Sequence, residues 1–359
     1  MNQAIKDRVN AVLESGYLTE GPVTKEFENK FKEYIECKYA LAVTSATTGL
    51  EMALRALNIG PGDEVIVPDY TYPATAAVVP IVGAKAIIVD VNKDSMLIDY
   101  EEIEKAITSR TKAIIPVSGF GNPLDYEILN RIKEKHHLFI IEDAACAIGA
   151  EFNNVKVGAH ADIAVFSLHP RKFITTGEGG MVTTNNSKWA EWMNSYKHFG
   201  MDMSNTNREG IQFKIIGTNY KLSNVQSAIG LGQFEYIHEL LGKRRQLAAN
   251  YDQMLSGLKG ITIPKTTKNG IHSYQSYCIH IENRNEVMMK MREAGIEVQI
   301  GTYSLHMHEA YKPSRQIELK GNMPNSKWVF DHTLTLPLYH DLTSEQQERV
   351  VKQLSLLTK

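Results

Sequence analysis

The chain has few cysteines and no long apolar run. Its 359 residues include three cysteines, Cys37, Cys146 and Cys278, set far apart. There is no C-x-x-C pair and no other metal-ligand spacing, so neither a disulfide framework nor a zinc site is expected. Three scattered thiols fit a reducing compartment, and the cytoplasm is the expected location. No run of about 18 apolar residues occurs, which removes the expectation of a membrane-spanning helix. Neither sign of charge is in excess: 39 Lys and Arg against 41 Asp and Glu leave a formal net charge of −2. That balance gives no reason to expect nucleic acid or a membrane as partner. Low-complexity tracts and internal repeats are also missing. The opening M-N-Q-A-I-K-D-R-V-N is amphipathic and charged where a secretion signal would be apolar. What remains is an ordinary globular composition, 43% hydrophobic and 22% charged, at a length that suggests about two domains.

Periodicity divides the chain. Residues 1–34 read as helix, turn, helix, with Leu13 and Tyr17 leading into G-Y-L-T-E-G-P. From Tyr39 to about Asn185, short apolar runs alternate with helical ones. The strand candidates are 40–44, 64–68, 86–90, 113–117, 138–142, 163–168 and 181–184, separated by helical stretches such as 48–57, 99–108 and 125–136. Near-continuous Val, Ile and Ala runs between helices predict an α/β fold with a mostly parallel, seven-stranded sheet covered on both faces. Residues 189–198 read as a helix, 200–217 as a polar loop, and 223–250 as one long helix. A smaller α+β unit follows, with strands near 276–281 and 296–300 and helices at 285–294 and 344–357. The expected division is 1–250, a large domain with an N-terminal helical segment, and 251–359, a small C-terminal domain.

In parallel sheets of this kind ligands bind at the carboxyl ends of the strands. The residues found there are suggestive together. After 40–44 comes S-A-T-T-G-L, whose hydroxyls open a helix; a plain N-cap and a phosphate site both fit. After 64–68 come Tyr70 and Tyr72, either core aromatics or flat surfaces for a planar ring. Asp143 ends a buried apolar strand and must find a cation, a donor or a ligand. Ser167 and Lys172 follow 163–168, with Lys172 on a turn that leads into the next strand. Lysine loses its proton readily when buried, which suits it to imine chemistry. A lysine, a carboxylate, a stacking ring and a phosphate cradle together are what pyridoxal 5'-phosphate (PLP) requires.

The chain resembles the DegT/DnrJ/EryC1/StrS family of PLP-dependent sugar aminotransferases, within the fold-type I, aspartate aminotransferase-like superfamily. The resemblance runs over nearly the full length. It rests on T-E-G-P near Thr19, S-A-T-T-G-L at Ser45, G-D-E-V-I-V-P at Gly62, T-K-A-I-I-P-V at Thr111 and I-E-D-A-A at Ile141. It continues through F-S-L-H-P-R-K-F-I-T-T-G-E-G-G at Phe166, G-T-N-Y-K-L-S-N-V-Q-S-A-I-G at Gly217 and L-P-L-Y-H-D-L-T at Leu336. It implies that Lys172 carries PLP as an imine, that Asp143 pairs with the pyridine nitrogen, and that Tyr72 stacks on the ring. Ala46 and Thr47 match the phosphate-binding turn, with Ser167 as a further donor. Asn219 matches a residue that reaches the phosphate from a neighbouring subunit, implying a homodimer with shared sites. Lys221 and His169 are candidate substrate contacts.

The implied reaction moves an amino group from L-glutamate to a keto sugar, with Lys172 relaying the proton as base and acid. G-Y-L-T-E-G-P resembles members that aminate the 4-position, which points to a nucleotide-linked 4-keto-6-deoxyhexose and to amino-sugar biosynthesis for surface polysaccharide or antibiotic. The alternatives are a 3-keto sugar, a keto sugar acid, and a PLP-dependent sugar dehydratase. The dehydratases of the family carry His at the lysine position, which Lys172 fills here. Three departures from the family stand out: Cys146 where Gln or His is usual, Phe173 after the lysine, and Ser118 in place of a common histidine.

Overall fold

The computed structural model describes residues 1–203 and 208–358. Two helices, Gln3–Ser15 and Pro22–Ile35, open the chain and are separated by the turn at Gly16–Gly21. All seven expected strands form, and an eighth, Ile317–Leu319, joins them from the far end of the chain. The order across the sheet is Tyr39–Val43, Gly180–Thr184, Ile163–Ser167, Phe139–Asp143, Thr111–Ile114, Glu64–Pro68, Lys85–Val89, Ile317–Leu319. Gly180–Thr184 runs antiparallel to both its neighbours, and the remaining pairings are parallel. The sheet is buried on both faces, as its uninterrupted apolar runs require. Val65 and Val67 face one hydrophobic layer with Leu50 and Leu54, while Ile66 faces the other with Phe27, Phe31 and Phe166.

The single helix expected over 223–250 is two helices, Asn224–Phe234 and Ile237–Leu255, with a break at Glu235–Tyr236. Leu231 and Phe234 of the first pack beside Phe27 and Phe31, and Ile237 and Leu241 at the start of the second join the same core. The rest of the second helix, through Leu247, Tyr251 and Leu255, belongs to the smaller core around Tyr277 and Leu334, so this one helix links the two. The smaller core lies on an antiparallel sheet of Ile261–Thr262, Tyr277–Ile281, Thr333–Leu336 and Gln299–Ile300. The strand expected over 296–300 forms only in its last two residues.

The chain then crosses back to the large sheet. Tyr303–Ser304 pairs with Tyr70–Thr71, and Leu305, Tyr311, Ile317 and Met323 join the large core. Asp69, fully buried at the end of its strand, ties this crossing down. It accepts hydrogen bonds from Ser304 Oγ at 2.9 Å, Ser326 Oγ at 2.5 Å, the His306 amide at 2.7 Å and His306 Nδ1 at 2.6 Å. The loop expected over 200–217 lies partly outside the described residues. Its described parts include a short turn at Arg208–Gly210 and a pairing of Met201 with Phe213.

Candidate active site

Three strands end in one row. Val43 is in register with Gly180, and Gly180 with Ser167. This row brings Ser167, whose side chain is buried, beside the start of the helix Ala46–Ala56. Ser45 caps that helix through a reciprocal box with Thr48, each side chain bonding the other's amide at 3.1 Å. The Ala46 and Thr47 amides keep no partner among the described residues and lie at a helix N-terminus, where the dipole favours an anion. Gly180 packs directly against this turn: a Cβ there would lie 2.7 Å from the Ser45 carbonyl carbon and 2.8 Å from the Ala46 nitrogen, so only glycine fits.

Asp143 ends its strand two residues along the neighbouring register, where it pairs with Val165. Its carboxylate is buried. Oδ2 accepts from the Thr75 hydroxyl at 2.7 Å and Oδ1 from the Ala145 amide at 3.1 Å. No cation lies within ion-pair distance of it among the described residues. Burial pushes the carboxyl up, and Thr75, Ala145 and Lys172 only partly offset this. A buried acceptor so placed has room for one more positive partner.

Lys172 stands on a loop tied shut at its base. Leu168 and Gly179 bond at 2.9 Å, and Thr176 returns a 2.9 Å bond to the Leu168 carbonyl. Gln275 of the smaller unit brackets the lysine itself, accepting from the Phe173 amide at 2.8 Å and donating to the Arg171 carbonyl at 2.8 Å. The Lys172 ammonium is half-buried and donates to Cys146 Sγ at 3.0 Å. Burial would lower its pKa as expected of a sequestered lysine, but the Cys146 sulfur, Asp143 and the Tyr72 phenol outweigh that and hold it above the ordinary lysine range. The direction is therefore opposite to the one expected from burial alone.

Tyr72 is 66% exposed, its ring 6.3 Å from that of Tyr303 on the crossing segment. It offers a face rather than filling a core. His169 belongs to the shape of the loop: Nδ1 accepts from the Arg171 amide at 3.2 Å, and Nε2 lies 3.8 Å from Glu178. Asn219 and Lys221 bond each other at 2.6 Å on a segment held against Thr44 through Tyr220. Among the described residues neither bonds Lys172, Asp143 or Ser167. Ser118 is fully buried and donates to Glu142 Oε1 at 2.5 Å, away from solvent. Phe173 is buried too, against His340 and Arg244.

The whole arrangement matches a protein-family model, that of the DegT/DnrJ/EryC1/StrS aminotransferases, over residues 1–355. The chain belongs to this family. A relative of unassigned function from Methanocaldococcus jannaschii is 35% identical over 361 residues, covering 96% of this chain and 93% of its own. Among solved structures, DesV of S. venezuelae, in complex with a ketimine intermediate, aligns with a TM-score of 0.92 and 32% identity over 99% of this chain and 94% of its own. Spr1654 of Streptococcus pneumoniae in its PMP form aligns with a TM-score of 0.94 and 28% identity over 100% and 97%. PseC of Helicobacter pylori, an aminotransferase involved in pseudoaminic acid biosynthesis, aligns with a TM-score of 0.92 and 28% identity over 100% and 96%. The fold is that of the fold-type I PLP aminotransferases, and the protein is a PLP-dependent sugar aminotransferase.

The residues fit that cofactor. A buried carboxylate short of a cation, a lysine beside it, and unbonded amides at a helix start would answer the ring nitrogen, the aldehyde and the phosphate in turn. Sequence reasoning missed Thr75 and Gln275. Thr75 lies 68 positions from Asp143 and Gln275 lies 102 from Phe173; Thr75 closes the stretch D-Y-T-Y-P-A-T, read only for its tyrosines, and Gln275 belongs to no motif.

Proposed function

We propose that this aminotransferase moves an amino group from L-glutamate to a nucleotide-linked 4-keto-6-deoxyhexose. The observation that carries the reading is the placement of Lys172 and Asp143 together at the carboxyl ends of adjacent strands, with lysine at the reacting position. PLP, when bound, supplies the electron sink for breaking a C–H bond. The protein's residues do the rest. Asp143, backed by Thr75, would hold the ring nitrogen and keep it charged; Ala46, Thr47 and Ser167 would hold the phosphate. Tyr72 would stack on the ring, with Lys172 forming the imine. Nζ of Lys172 accepts the substrate proton and gives it back one atom further along, as base and then acid. Orienting the substrate's C–H bond toward Lys172 would be the main positional contribution.

Asn219 is assigned to the phosphate of a second copy, making a homodimer with shared sites. The support is an exposed apolar set on the same segment: Phe199, Phe213 and Ile216, the last 98% exposed. Lys221 beside it, and His169, are assigned to the substrate's acidic and polar groups. In this reading residues 1–250 form the cofactor-binding domain and 251–359 the smaller one, with the crossing segment packed on the large sheet, and the enzyme works in the cytoplasm. The 4-keto preference rests on G-Y-L-T-E-G-P, whose Asn224 contacts fix the turn: the Asn224 amide donates to the Leu18 and Thr19 carbonyls at 3.2 Å. The test is a panel of nucleotide-linked 3- and 4-keto sugars incubated with L-glutamate and read by mass. An amine product from the 4-keto hexose is expected. Amination of the 3-keto sugars alone, or loss of oxygen without gain of nitrogen, overturns the reading.

A further inference from the structure

The turn that carries Asp143 also carries Cys146. The Ala145 amide folds back onto the Asp143 carboxylate at 3.1 Å, and the Ala147 amide onto the Ala144 carbonyl at 2.9 Å. The turn thereby presents the Cys146 sulfur to Lys172 Nζ at 3.0 Å, and that is the single side-chain hydrogen bond of the lysine among the described residues. The carbonyl of Cys146 is in reach of Ser273 Oγ at 3.5 Å, so the smaller unit backs the turn.

We propose that Cys146 is a positioning residue for Lys172, its sulfur holding the amine as an ammonium ion over the Asp143 end of the site until the cofactor aldehyde arrives. The inference rests on reading Lys172 as the cofactor lysine. The groups that face Lys172 are Cys146, Asp143 and Tyr72, and its own loop adds His169 and Arg171. Of the three facing groups, Asp143 is already engaged by Thr75 and Ala145, and Tyr72 stands out in solvent. Cys146 alone makes direct contact. Sulfur is a soft, weak acceptor, so it can hold the ammonium without locking it. Removing it leaves burial opposed by two more distant groups, and the amine then sheds its proton more readily.

The chemistry gives a direct readout. Capture joins the unprotonated lysine nitrogen to the aldehyde carbon of PLP with loss of water, so its rate follows the free-amine fraction. Apo-protein, stripped of PLP, is mixed with PLP across a pH series, and capture is followed by absorbance and trapped with borohydride for peptide mass. Cys146→Ala and Cys146→Ser are compared with the wild type. Cys146→Ala is expected to reach half-maximal capture about half a pH unit lower than the wild type, the size of one weak hydrogen bond to the ammonium. Cys146→Ser keeps an acceptor of similar size and is expected to stay close to the wild type. Equal midpoints in all three proteins overturn the proposal. A serine midpoint shifted as far as that of alanine overturns it as well, because accepting from the ammonium is then not what matters. Trapping on a lysine other than Lys172 overturns the Lys172 reading itself, and this proposal with it.

Discussion

Thr75 donates its hydroxyl proton to Asp143 Oδ2 across 2.7 Å, both side chains being buried. The hydroxyl is the strongest local support for a carboxylate that burial disfavours. Thr75→Val keeps the shape and removes the donor. A hydrogen bond to a charged acceptor is worth roughly 1.5 kcal/mol or more, so PLP retention should weaken about tenfold. Equilibrium dialysis measures it. Unchanged retention would mean that the ring nitrogen is held elsewhere.

Lys197 is fully buried between Glu20 Oε1 at 2.9 Å, Glu28 Oε1 at 3.2 Å and the Ala42 carbonyl at 3.1 Å. His198 adds a contact to Glu20 at 3.3 Å. Burial would push Glu20 up, but His198 and Lys197 hold its carboxyl below the ordinary range. Lys197→Met leaves the buried Glu28 and the partly buried Glu20 with only Lys25 and His198 beside them, a change that costs about 3 kcal/mol. Urea unfolding should show a midpoint well below that of the wild type; coincident curves would sink the assignment.

Glu142 lies next to Asp143 with Oε1 accepting from Ser118 and Tyr126, each at 2.5 Å, and Oε2 buried without a partner among the described residues. Burial pushes its carboxyl up to about 7. A folded-state value above the unfolded one favours the protonated acid. Its stabilisation is therefore complete below the unfolded value and is lost as pH rises through about 7. Glu142→Gln does not titrate. Its melting temperature relative to the wild type should climb between pH 5 and pH 7 and then level off. A difference that stays flat over that range would refute the titration.

Ile216 is 98% exposed and Phe213 62%, on the segment that leads into Asn219. Ile216→Asp places a charge where an apolar partner surface is proposed. Light scattering should report a one-chain mass for the variant and a two-chain mass for the wild type. A two-chain mass in both removes this segment from the interface.

Much of this was legible in the sequence. The seven long strands were visible because strands buried on both faces read as unbroken apolar runs. Lys172, Asp143 and the Ser45 turn were visible because each follows such a run directly. Ile317–Leu319 was not, for a three-residue edge strand leaves no period to detect. The break at Glu235–Tyr236 was hidden because both flanking segments are helical and neither Gly nor Pro marks the gap. Nothing in the sequence joined Lys197 to its carboxylates, since Glu20 lies on the turn at Gly16–Gly21 and Glu28 on the second helix of the chain. Thr75 and Gln275 act through contacts that only folding creates.

The lysine loop springs from two strands already bonded to each other, Ser167 facing Gly180 in register. Closing such a loop costs chain entropy once, when the sheet forms, and not again with each catalytic cycle. In the proposed mechanism Lys172 would leave and rejoin the cofactor while both ends of its tether stay fixed. Each return would begin from the same two points, so the enzyme would have no need to search for its own nucleophile.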